Sequence, residues 1–328
     1  MELDGRVAVV TGGTRGVGAG IARAFLRAGA EVVVCARRPP DRPVTGAGRA
    51  AVFEAVDLRR PDEATDLVAR IAERYGRLDT LVNNAGGTPY RLLDDGGPER
   101  HARILELNLT APLALSLAAH PALRATRGSV LMIGSVSGTR PSPGTAAYGA
   151  AKAGLENLAR TMAVEWAPEV RVNTLVLGMV RTELSRLHYG DAEGIAAVGR
   201  TVPLGRLAEP DEIGDAAVFL ASDRAAYVSG ASLLVHGGGE RPAFLDAATA
   251  NKPEPAGADR DPADRGPTDS GPAAREPTDR DLTDREPTDS GPADREPADS
   301  GPADREPTDR QPIRPGPTDP EENRHGTV

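Results

Sequence analysis

The chain has 328 residues with 39 Lys+Arg, 48 Asp+Glu and a formal net charge of −9. The charge is unevenly placed, because residues 251–328 hold 11 Lys+Arg and 20 Asp+Glu, which leaves 28 of each in residues 1–250. This balance of charge argues against a nucleic-acid surface. No apolar run approaches the roughly 20 residues of a membrane span, and a single cysteine excludes a disulfide framework. A cytoplasmic protein without nucleic-acid or membrane partners is therefore expected.

Residues 1–247 alternate short β-branched runs with amphipathic segments, which predicts one α/β domain. The repeat is typical of a three-layer, Rossmann-like, doubly wound parallel sheet of about seven strands with helices on both faces. Between the second and third strands, residues 37–50 contain three prolines and two glycines, which predict a loop in place of a helix. The predicted strands are 7–10, 31–35, 51–55, 80–82, 129–133, 171–177 and 232–235, and the predicted helices are 17–28, 62–75, 100–118, 147–167 and 211–221.

The composition changes near residue 248, where the domain is expected to end. From residue 251 onward the chain holds 15 of its 29 prolines and repeats sequences such as G-P-A-D-R-E-P-A-D-S. Such a segment cannot bury enough apolar surface to offset the entropy of ordering. Residues 248–328 are therefore predicted to be a disordered tail, either an inert solubilising segment or one that recruits a partner.

A glycine-rich turn, T11-G-G-T-R-G-V-G18, joins the first predicted strand to the first predicted helix. Its glycines let the backbone approach a pyrophosphate, and the helix N-terminus offers free N–H groups and a positive dipole. No Gly-Lys-Ser/Thr follows, which excludes a P-loop. The turn predicts dinucleotide contacts from Gly12, Thr14, Arg15, Gly16, Val17 and Gly18.

The end of the second strand indicates which dinucleotide binds. The residues A36-R37-R38 include no carboxylate that could accept hydrogen bonds from the adenosine ribose. Arg15 and Arg37 would instead attract a 2′-phosphate through charge-assisted hydrogen bonds. NADP(H) is therefore predicted in preference to NAD(H); the alternative is that Arg37 and Arg38 form only a solvated loop.

Lys152 is the only lysine before the tail, four residues after Tyr148 in Y148-G-A-A-K152. Residues four apart share a helical face, so the two side chains are expected to project together. A phenol with a pKa near 10 needs roughly 4 kcal/mol of preference for the phenolate to titrate near pH 7, and a cation about 4 Å away in an effective dielectric of about 20 supplies roughly that amount. Lys152 is thus predicted to lower the pKa of Tyr148, which would act as general acid/base.

These motifs together resemble the short-chain dehydrogenase/reductase family over residues 3–239. The resemblance is carried, in order, by the glycine turn, N83-N-A-G86, Asn108, Ser135 and Y148-G-A-A-K152. The side chains that would carry the chemistry are those of Asn108, Ser135, Tyr148 and Lys152. They are separated by 27, 13 and 4 positions, as is usual for that family. The resemblance implies a single-domain oxidoreductase that moves hydride between a nicotinamide and a carbonyl compound.

The resemblance also implies a role for each residue. Tyr148 would transfer the proton, Lys152 would hold the nicotinamide ribose, Ser135 would hydrogen-bond the substrate oxygen, and Asn108 would hold a water linked to Lys152. No metal is expected. The further cofactor contacts it implies are Asp57, Leu58, Asn84, Ala85, Gly86, Tyr148, Lys152, Gly178, Val180 and Thr182.

Several of these residues have a structural alternative. Ser137 or Ser142 could supply the catalytic hydroxyl, and Asn108 could tie a helix to a loop. Asn83 and Asn84 could pin the fourth strand, and Asp57 could cap a helix.

Two positions depart from the family pattern. Leu177 stands where a proline usually precedes Gly178, which restores an N–H and removes a fixed φ, so the turn leading to Thr182 is expected to be looser. His236 stands where an aspartate commonly precedes the last glycines, and we interpret it as a structural or interface residue.

Residues 183–204 are expected to form a mobile lid over the nicotinamide. The predicted substrate is a medium-sized, partly apolar carbonyl compound or alcohol of the 3-oxoacyl, polyketide, steroid or cyclic-ketone type, and a homotetramer or homodimer is expected. The rival hypothesis is a cofactor-binding scaffold or sensor whose acidic tail recruits a partner. The predicted apolar wall is Leu184, Leu187, Tyr189, Ile195 and Val198, and the predicted polar contacts are Tyr90, Arg91, Arg140 and His188.

Overall fold

The structure is a computed structural model, and residues 1–248 are the part it describes. Apart from residue 248, the tail predicted for residues 248–328 lies outside the described residues, so both its disorder and its role stay predictions.

Within residues 1–248, seven strands form one parallel sheet in the order β5-β2-β1-β6-β7-β8-β9. The chain starts in the middle, runs to one edge and then returns to build the other half, so the sheet is doubly wound. All seven predicted strands are present, which confirms the predicted fold class. The strands are β1 (Val7–Thr11), β2 (Glu31–Ala36), β5 (Val52–Ala55), β6 (Thr80–Asn83), β7 (Ser129–Ser135), β8 (Arg171–Leu177) and β9 (Ser232–Val235), and a separate hairpin pairs β3 (Thr45–Gly46) with β4 (Arg49–Ala50).

Helices cover both faces of the sheet because the strands are apolar on both sides. Successive residues of a strand point to opposite faces. Val7 and Val9 belong to a core with α2, α4 and α5, whereas Ala8 and Val10 belong to a core with α1 and α8. The helices are α1 (Gly16–Arg27), α2 (Pro61–Tyr75), α3 (Pro98–Leu105), α4 (Ala111–Thr126), α5 (Ala146–Glu165), α6 (Ser185–Tyr189), α7 (Ala192–Thr201), α8 (Pro210–Ala221) and α9 (Ala243–Ala247).

The segment between β2 and β5 contains no helix, which confirms the loop predicted there. Only the short β3–β4 hairpin interrupts it. Without a helix over this edge, Arg37 and Arg38 at the end of β2 line the cleft described below.

The segment predicted as one helix over 100–118 is interrupted by a π-helical turn. Residues Glu106–Thr110 form this turn between α3 and α4, and Ala111 N–H donates to the Glu106 carbonyl five residues earlier. Such turns often lie at functional sites. This one contains Asn108.

By length and composition alone, Pro98–Thr126 is the one helical stretch in the described part that could cross a membrane. Its α4 portion, however, packs onto the sheet through Leu115, Ala119 and Leu123, all at most 1% exposed. This packing is that of a core helix in a globular domain.

Cys35 lies inside β2 and is fully buried. Burial raises the pKa of its thiol to about 12, which suits a packing residue. Among the described residues, no group of three or more His, Cys, Asp or Glu side chains is placed to hold a metal ion.

Candidate active site

The carboxyl ends of the parallel strands open into a cleft of about 1460 Å³. Every residue predicted to contact the cofactor lines it, and so do Ser135, Tyr148 and Lys152 of the predicted catalytic set. Asn108 is buried behind its wall. The predicted cofactor residues that the cleft brings together are Gly12, Thr14, Arg15, Gly16, Val17, Gly18, Arg37, Asp57, Leu58, Asn84, Ala85, Gly86, Tyr148, Lys152, Gly178, Val180 and Thr182.

The glycine turn has a backbone that other residues would not tolerate. Gly12 and Gly16 have φ of +61° and +53°, where glycine alone is unstrained. A Cβ on Gly18 would lie 2.4 Å from the Gly12 carbonyl oxygen. Helix α1 starts at Gly16 without a side-chain cap from Arg15, so its first N–H groups face the cleft. This cradle fits a dinucleotide pyrophosphate.

Asn84 pins the turn to the end of β6. Its Nδ2 donates to the Thr11 carbonyl at 2.8 Å and to the Gly12 carbonyl at 3.3 Å. The Thr11 hydroxyl in turn accepts from the N–H groups of Asn84 and Ala85. The structural alternative for Asn84 is therefore realised, and the residue still lines the cleft.

A carboxylate from the segment that follows β8, that of Glu183, contacts the N-terminus of α1. The Gly16 N–H donates to the two carboxylate oxygens of Glu183, at 3.1 and 3.4 Å. Helix α1 has no acidic residue in its own first turn. Glu183 therefore supplies the negative charge that this helix dipole favours, at the place where a pyrophosphate would bind.

Arginines surround the adenosine end of the cleft. Arg15, Arg37, Arg38 and Arg59 line it. Arg59 forms an ion pair with both carboxylate oxygens of Asp57, with one N···O distance of 2.9 Å. This hydrogen bond is the largest of the effects that lower the pKa of Asp57 to about 2, and the charge of Arg37 adds to them. Asp57 is not a helix cap, because the residue before α2 is Arg60.

Tyr148 and Lys152 project from the same face of α5, one turn apart. The Lys152 Nζ lies 5.5 Å from the centre of the Tyr148 ring and donates to the Ile133 carbonyl at 2.7 Å. Ser135, at the end of β7, accepts a hydrogen bond from the Ser137 N–H at 3.2 Å. The Ser135 hydroxyl also lowers the pKa of the Tyr148 phenol, against the larger effect of burial. Among the three candidate serines, Ser135 is the one whose side chain acts on the tyrosine.

The predicted direction of the Tyr148 pKa is wrong for the protein chain on its own. Burial is the largest effect and raises this pKa, while Lys152 is not among the groups that shift it. Burial also lowers the pKa of Lys152 to about 8. The sequence-based expectation considered only the attraction of a cation about 4 Å from the phenol and left out burial, whereas the ammonium is 4% exposed and donates to the Ile133 carbonyl.

Asn108 ties the π-helical turn to the loop after β6. Its Nδ2 donates to the carbonyls of Gly87 and Ile104 at 3.0 and 2.9 Å, and its Oδ1 accepts from the Gly87 N–H at 2.9 Å. A Cβ on Gly86 would lie 2.5 Å from that Oδ1 and 3.5 Å from the Lys152 Nζ. The structural alternative for Asn108 is thus realised; its water-holding role stays a prediction.

The two departures from the family pattern meet at the end of β8. Leu177 continues the strand, is 6% exposed and packs in the core with α1 and α8. Gly178 must be a glycine, because a Cβ there would lie 2.8 Å from the His236 Cβ. His236 thus packs against the cofactor turn, so Leu177 and His236 have structural roles.

The lid predicted for 183–204 contains α6 and α7, and only part of its expected wall faces the cleft. Leu184 and Tyr189 line the cleft, whereas Leu187, Ile195 and Val198 do not. Leu187 is 77% exposed and Ile195 is buried, because the segment folds into two separate helices whose apolar side chains do not form one wall. Of the predicted polar contacts, Tyr90, Arg140 and His188 line the cleft, and Arg91 does not.

The fold and this cleft are those of a nucleotide-dependent oxidoreductase, and Ser135, Tyr148 and Lys152 line the same cavity as the glycine turn. The family described as enoyl-(acyl carrier protein) reductase matches residues 12–240. The chain is 37% identical to L-fucose dehydrogenase of Oryctolagus cuniculus over 243 residues, covering 72% of this chain and 85% of that protein. It is 36% identical to 3-oxoacyl-(acyl-carrier-protein) reductase of Vibrio cholerae over 242 residues, with 73% and 98% covered.

The ligand-free structure of Thermoplasma acidophilum aldohexose dehydrogenase matches with a TM-score of 0.69 and 27% identity, covering 77% of this chain and 98% of that one. The chain belongs to the short-chain dehydrogenase/reductase family. Members of this family use a nicotinamide cofactor and act on alcohols and ketones.

Two residues of the cleft, Arg59 and Glu183, were not predicted from the sequence. Arg59 had a readable signal, since it lies two residues after Asp57 and a pair at that spacing can form a turn. Glu183 had none, because its contact with Gly16 spans 167 positions and joins elements that only the folded sheet brings together.

The buried ammonium of Lys152 should cost the protein stability. Its folded-state pKa of about 8 lies below the ordinary lysine value, so the folded protein holds this charge unfavourably at pH 7, and stability should rise as the pH increases through 8. At pH 7 the free energy of unfolding of Lys152→Met should therefore exceed that of wild type by about 1–3 kcal/mol. This difference should be smaller at pH 9.5, where the lysine of the folded wild type is mostly neutral. Urea unfolding at both pH values checks this. Arg200→Met, at an exposed site on α7, is the control, and equal stability of Lys152→Met and wild type at pH 7 would contradict the assignment.

Glu183 should compete with the nucleotide for the N-terminus of α1. Glu183→Gln should bind NADPH about 3- to 10-fold more tightly, because a charged group at a helix N-terminus is worth up to about 1–2 kcal/mol. Fluorescence titration measures the Kd. Glu193→Gln, which neutralises an exposed carboxylate of α7, should leave the Kd unchanged. Weaker binding by Glu183→Gln would mean that the carboxylate supports the nucleotide site.

Proposed function

We propose that the protein is an NADP(H)-dependent oxidoreductase that interconverts a carbonyl and a secondary alcohol, with Tyr148 as general acid/base. The observation that carries the proposal is the position of Tyr148: it lines the same cleft as Ser135 and the glycine turn, and its ring centre lies 5.5 Å from the Lys152 Nζ. A phosphate cradle and a proton-transferring phenol thus share one cavity.

Each side chain has a task in this proposal. The nicotinamide, when bound, supplies or accepts the hydride. Ser135 donates to the substrate oxygen, and Tyr148 gives its proton to that oxygen during reduction or takes it back during oxidation. Lys152 supplies positive charge beneath the phenol and is placed to hold a ribose hydroxyl. Asn108 holds the turn against which Gly86 and Lys152 pack.

NADP(H) is favoured over NAD(H) by the charges at the adenosine end. Four arginines line that end together with two carboxylates, Asp41 and Asp57, and Asp57 is paired with Arg59, so positive charge is in excess there. A 2′-phosphate would meet several guanidinium donors there. The cofactor contacts proposed are those that line the cleft.

The substrate proposed is a medium-sized, partly apolar carbonyl compound or alcohol. Val136, Met179 and Leu184 give the substrate end an apolar part. The named relatives are an L-fucose dehydrogenase and a 3-oxoacyl-(acyl-carrier-protein) reductase, and the structural neighbour is an aldohexose dehydrogenase. A 3-oxoacyl, polyketide, steroid or cyclic-ketone substrate remains within this proposal.

We also propose a cytoplasmic homodimer or homotetramer. Apolar side chains are exposed on three elements that the family commonly uses for assembly: Leu117 of α4 is 57% exposed, Val164 of α5 is 80% exposed and Leu234 of β9 is 53% exposed. Burying these side chains against a second copy would remove apolar surface from water.

Tyr148→Phe should reduce NADPH-dependent ketone reduction by a factor of about 10² to 10⁴, because it removes the transferable proton and leaves the ring in place. The decrease in absorbance of NADPH with a panel of ketones measures the rate. Tyr227→Phe makes the same chemical change at a fully exposed position and should keep full activity. Equal rates for Tyr148→Phe and wild type would remove Tyr148 from the chemistry.

Arg37→Gln should weaken NADPH binding by about tenfold while leaving NADH binding nearly unchanged, because a hydrogen bond to a charged group contributes about 1.5–3 kcal/mol. Titrating both nucleotides into wild type and the variant gives the two affinity ratios. Arg200→Gln controls for loss of net charge. If wild type binds NADH more tightly than NADPH, the NADP(H) assignment fails.

A further inference from the structure

An ion pair stands at the substrate end of the cleft. Arg140, in the loop after β7, donates to a carboxylate oxygen of Glu240, which follows β9. Arg140 also donates from Nη1 to the Ser142 hydroxyl and to the Pro141 carbonyl, both at 3.1 Å. Arg140 and Ser142 line the cleft. Glu240 does not itself line the cleft, but its contact with Arg140, 100 positions earlier, places a carboxylate directly beside a lining guanidinium.

Tyr189 connects this pair to Tyr148. It lines the same cleft as Arg140 and Tyr148, at the end of α6. Burial raises the pKa of Tyr189; the charge of Glu240 raises it further, and that of Arg140 lowers it. Tyr189 in turn raises the pKa of Tyr148. The charges of Arg140 and Glu240 therefore act on Tyr189, and Tyr189 in turn acts on Tyr148.

The pair offers donors and an acceptor side by side. A guanidinium has five N–H donors, and a carboxylate has two acceptor oxygens. In the described part of the chain, Glu240 uses Oε1 for Arg140, which leaves Oε2 as an acceptor. A hydroxyl group both donates and accepts, so it can bind Glu240 and Arg140 at once.

The charges select against an anionic group. The pair as a whole is neutral, and a substrate carboxylate that approached Arg140 would meet the like charge of Glu240. Arg140 and Glu240 are each more than a third exposed, so their mutual attraction is weak and a hydroxyl can insert between them at little cost. A neutral hydroxyl satisfies both partners, whereas a carboxylate satisfies one and is repelled by the other.

We propose that Arg140 and Glu240 form a specificity site for a neutral hydroxyl group that the substrate carries beyond its reacting carbonyl. This inference rests on the proposed function and refines it: the substrate is a hydroxylated ketone or a cyclic polyol, and a simple hydrocarbon ketone or an oxo acid is a poorer one. Tyr189 and Ser142 flank the same position.

The test uses three ketones that share one ring: cyclohexanone, 4-hydroxycyclohexanone and 4-oxocyclohexanecarboxylate. Wild type with NADPH should show a kcat/KM for the hydroxyketone about tenfold above that for cyclohexanone, as expected for a hydrogen bond to charged groups, and the oxo acid should be the poorest substrate. Arg140→Gln and Glu240→Gln should each reduce the ratio of kcat/KM for the hydroxyketone to that for cyclohexanone to about one. Glu240→Gln should also raise kcat/KM for the oxo acid about tenfold, since the repelling charge is gone.

The controls separate the possible failures. Arg200→Gln and Glu193→Gln remove the same charges from the exposed face of α7 and should keep the wild-type ratios. Tyr148-dependent turnover of cyclohexanone without any preference for the hydroxyketone would overturn this inference and leave the proposed function standing. A wild-type preference for the oxo acid, or an equal loss with all three ketones in both variants, would also overturn it. Absence of Tyr148-dependent turnover with all three ketones would overturn this inference, while the proposed function is decided separately by the broader ketone panel with wild type and Tyr148→Phe.

Discussion

A buried ammonium beneath a phenol is the interaction on which the rest of the site depends. Lys152 is 4% exposed, and its hydrogen bond to the Ile133 carbonyl compensates for only part of the hydration it has lost. The fold holds this charge because α5 crosses the carboxyl end of β7, where Ile133 and Ser135 lie two residues apart. Stability is given up at the position where the proposed function requires positive charge.

The neighbouring backbone is built to make room for that ammonium. Gly86 has no side chain because a Cβ would collide with the amide oxygen of Asn108, and Asn108 in turn ties the π-helical turn to Gly87. At the nucleotide end of the cleft, polar side chains also fix the backbone: Asn84 and Thr11 join the glycine turn to the neighbouring strand. Polar side chains that sequence motifs assign to the ligand thus also hold the loops that surround it.

Local patterns in the sequence were sufficient to predict the fold and much of the cleft. The seven strands, the turn from Thr11 to Gly18, and the spacing of Tyr148 and Lys152 are all encoded by neighbouring residues, and the structure places them as expected. The features that the sequence did not predict correctly depend on burial and on contacts between distant segments. The pKa of Tyr148 moves upward because the ring is desolvated, and the spacing of two residues carries no information about desolvation. Likewise, Glu183 meets Gly16, and Glu240 meets Arg140, only after the sheet has assembled.

The central claim is that Lys152, together with bound nucleotide, overcomes the burial that raises the pKa of Tyr148. The direct measurement is an NMR titration of ring-labelled tyrosine in the NADP⁺ complexes of wild type and Lys152→Met, with the Tyr148 signal identified by its loss in Tyr148→Phe. The chain has five tyrosines, so the signal can be resolved and assigned. The account predicts that Tyr148 ionises well below pH 10 in the wild-type complex and well above that pH in the Lys152→Met complex. The same ionisation pH in both complexes would contradict it.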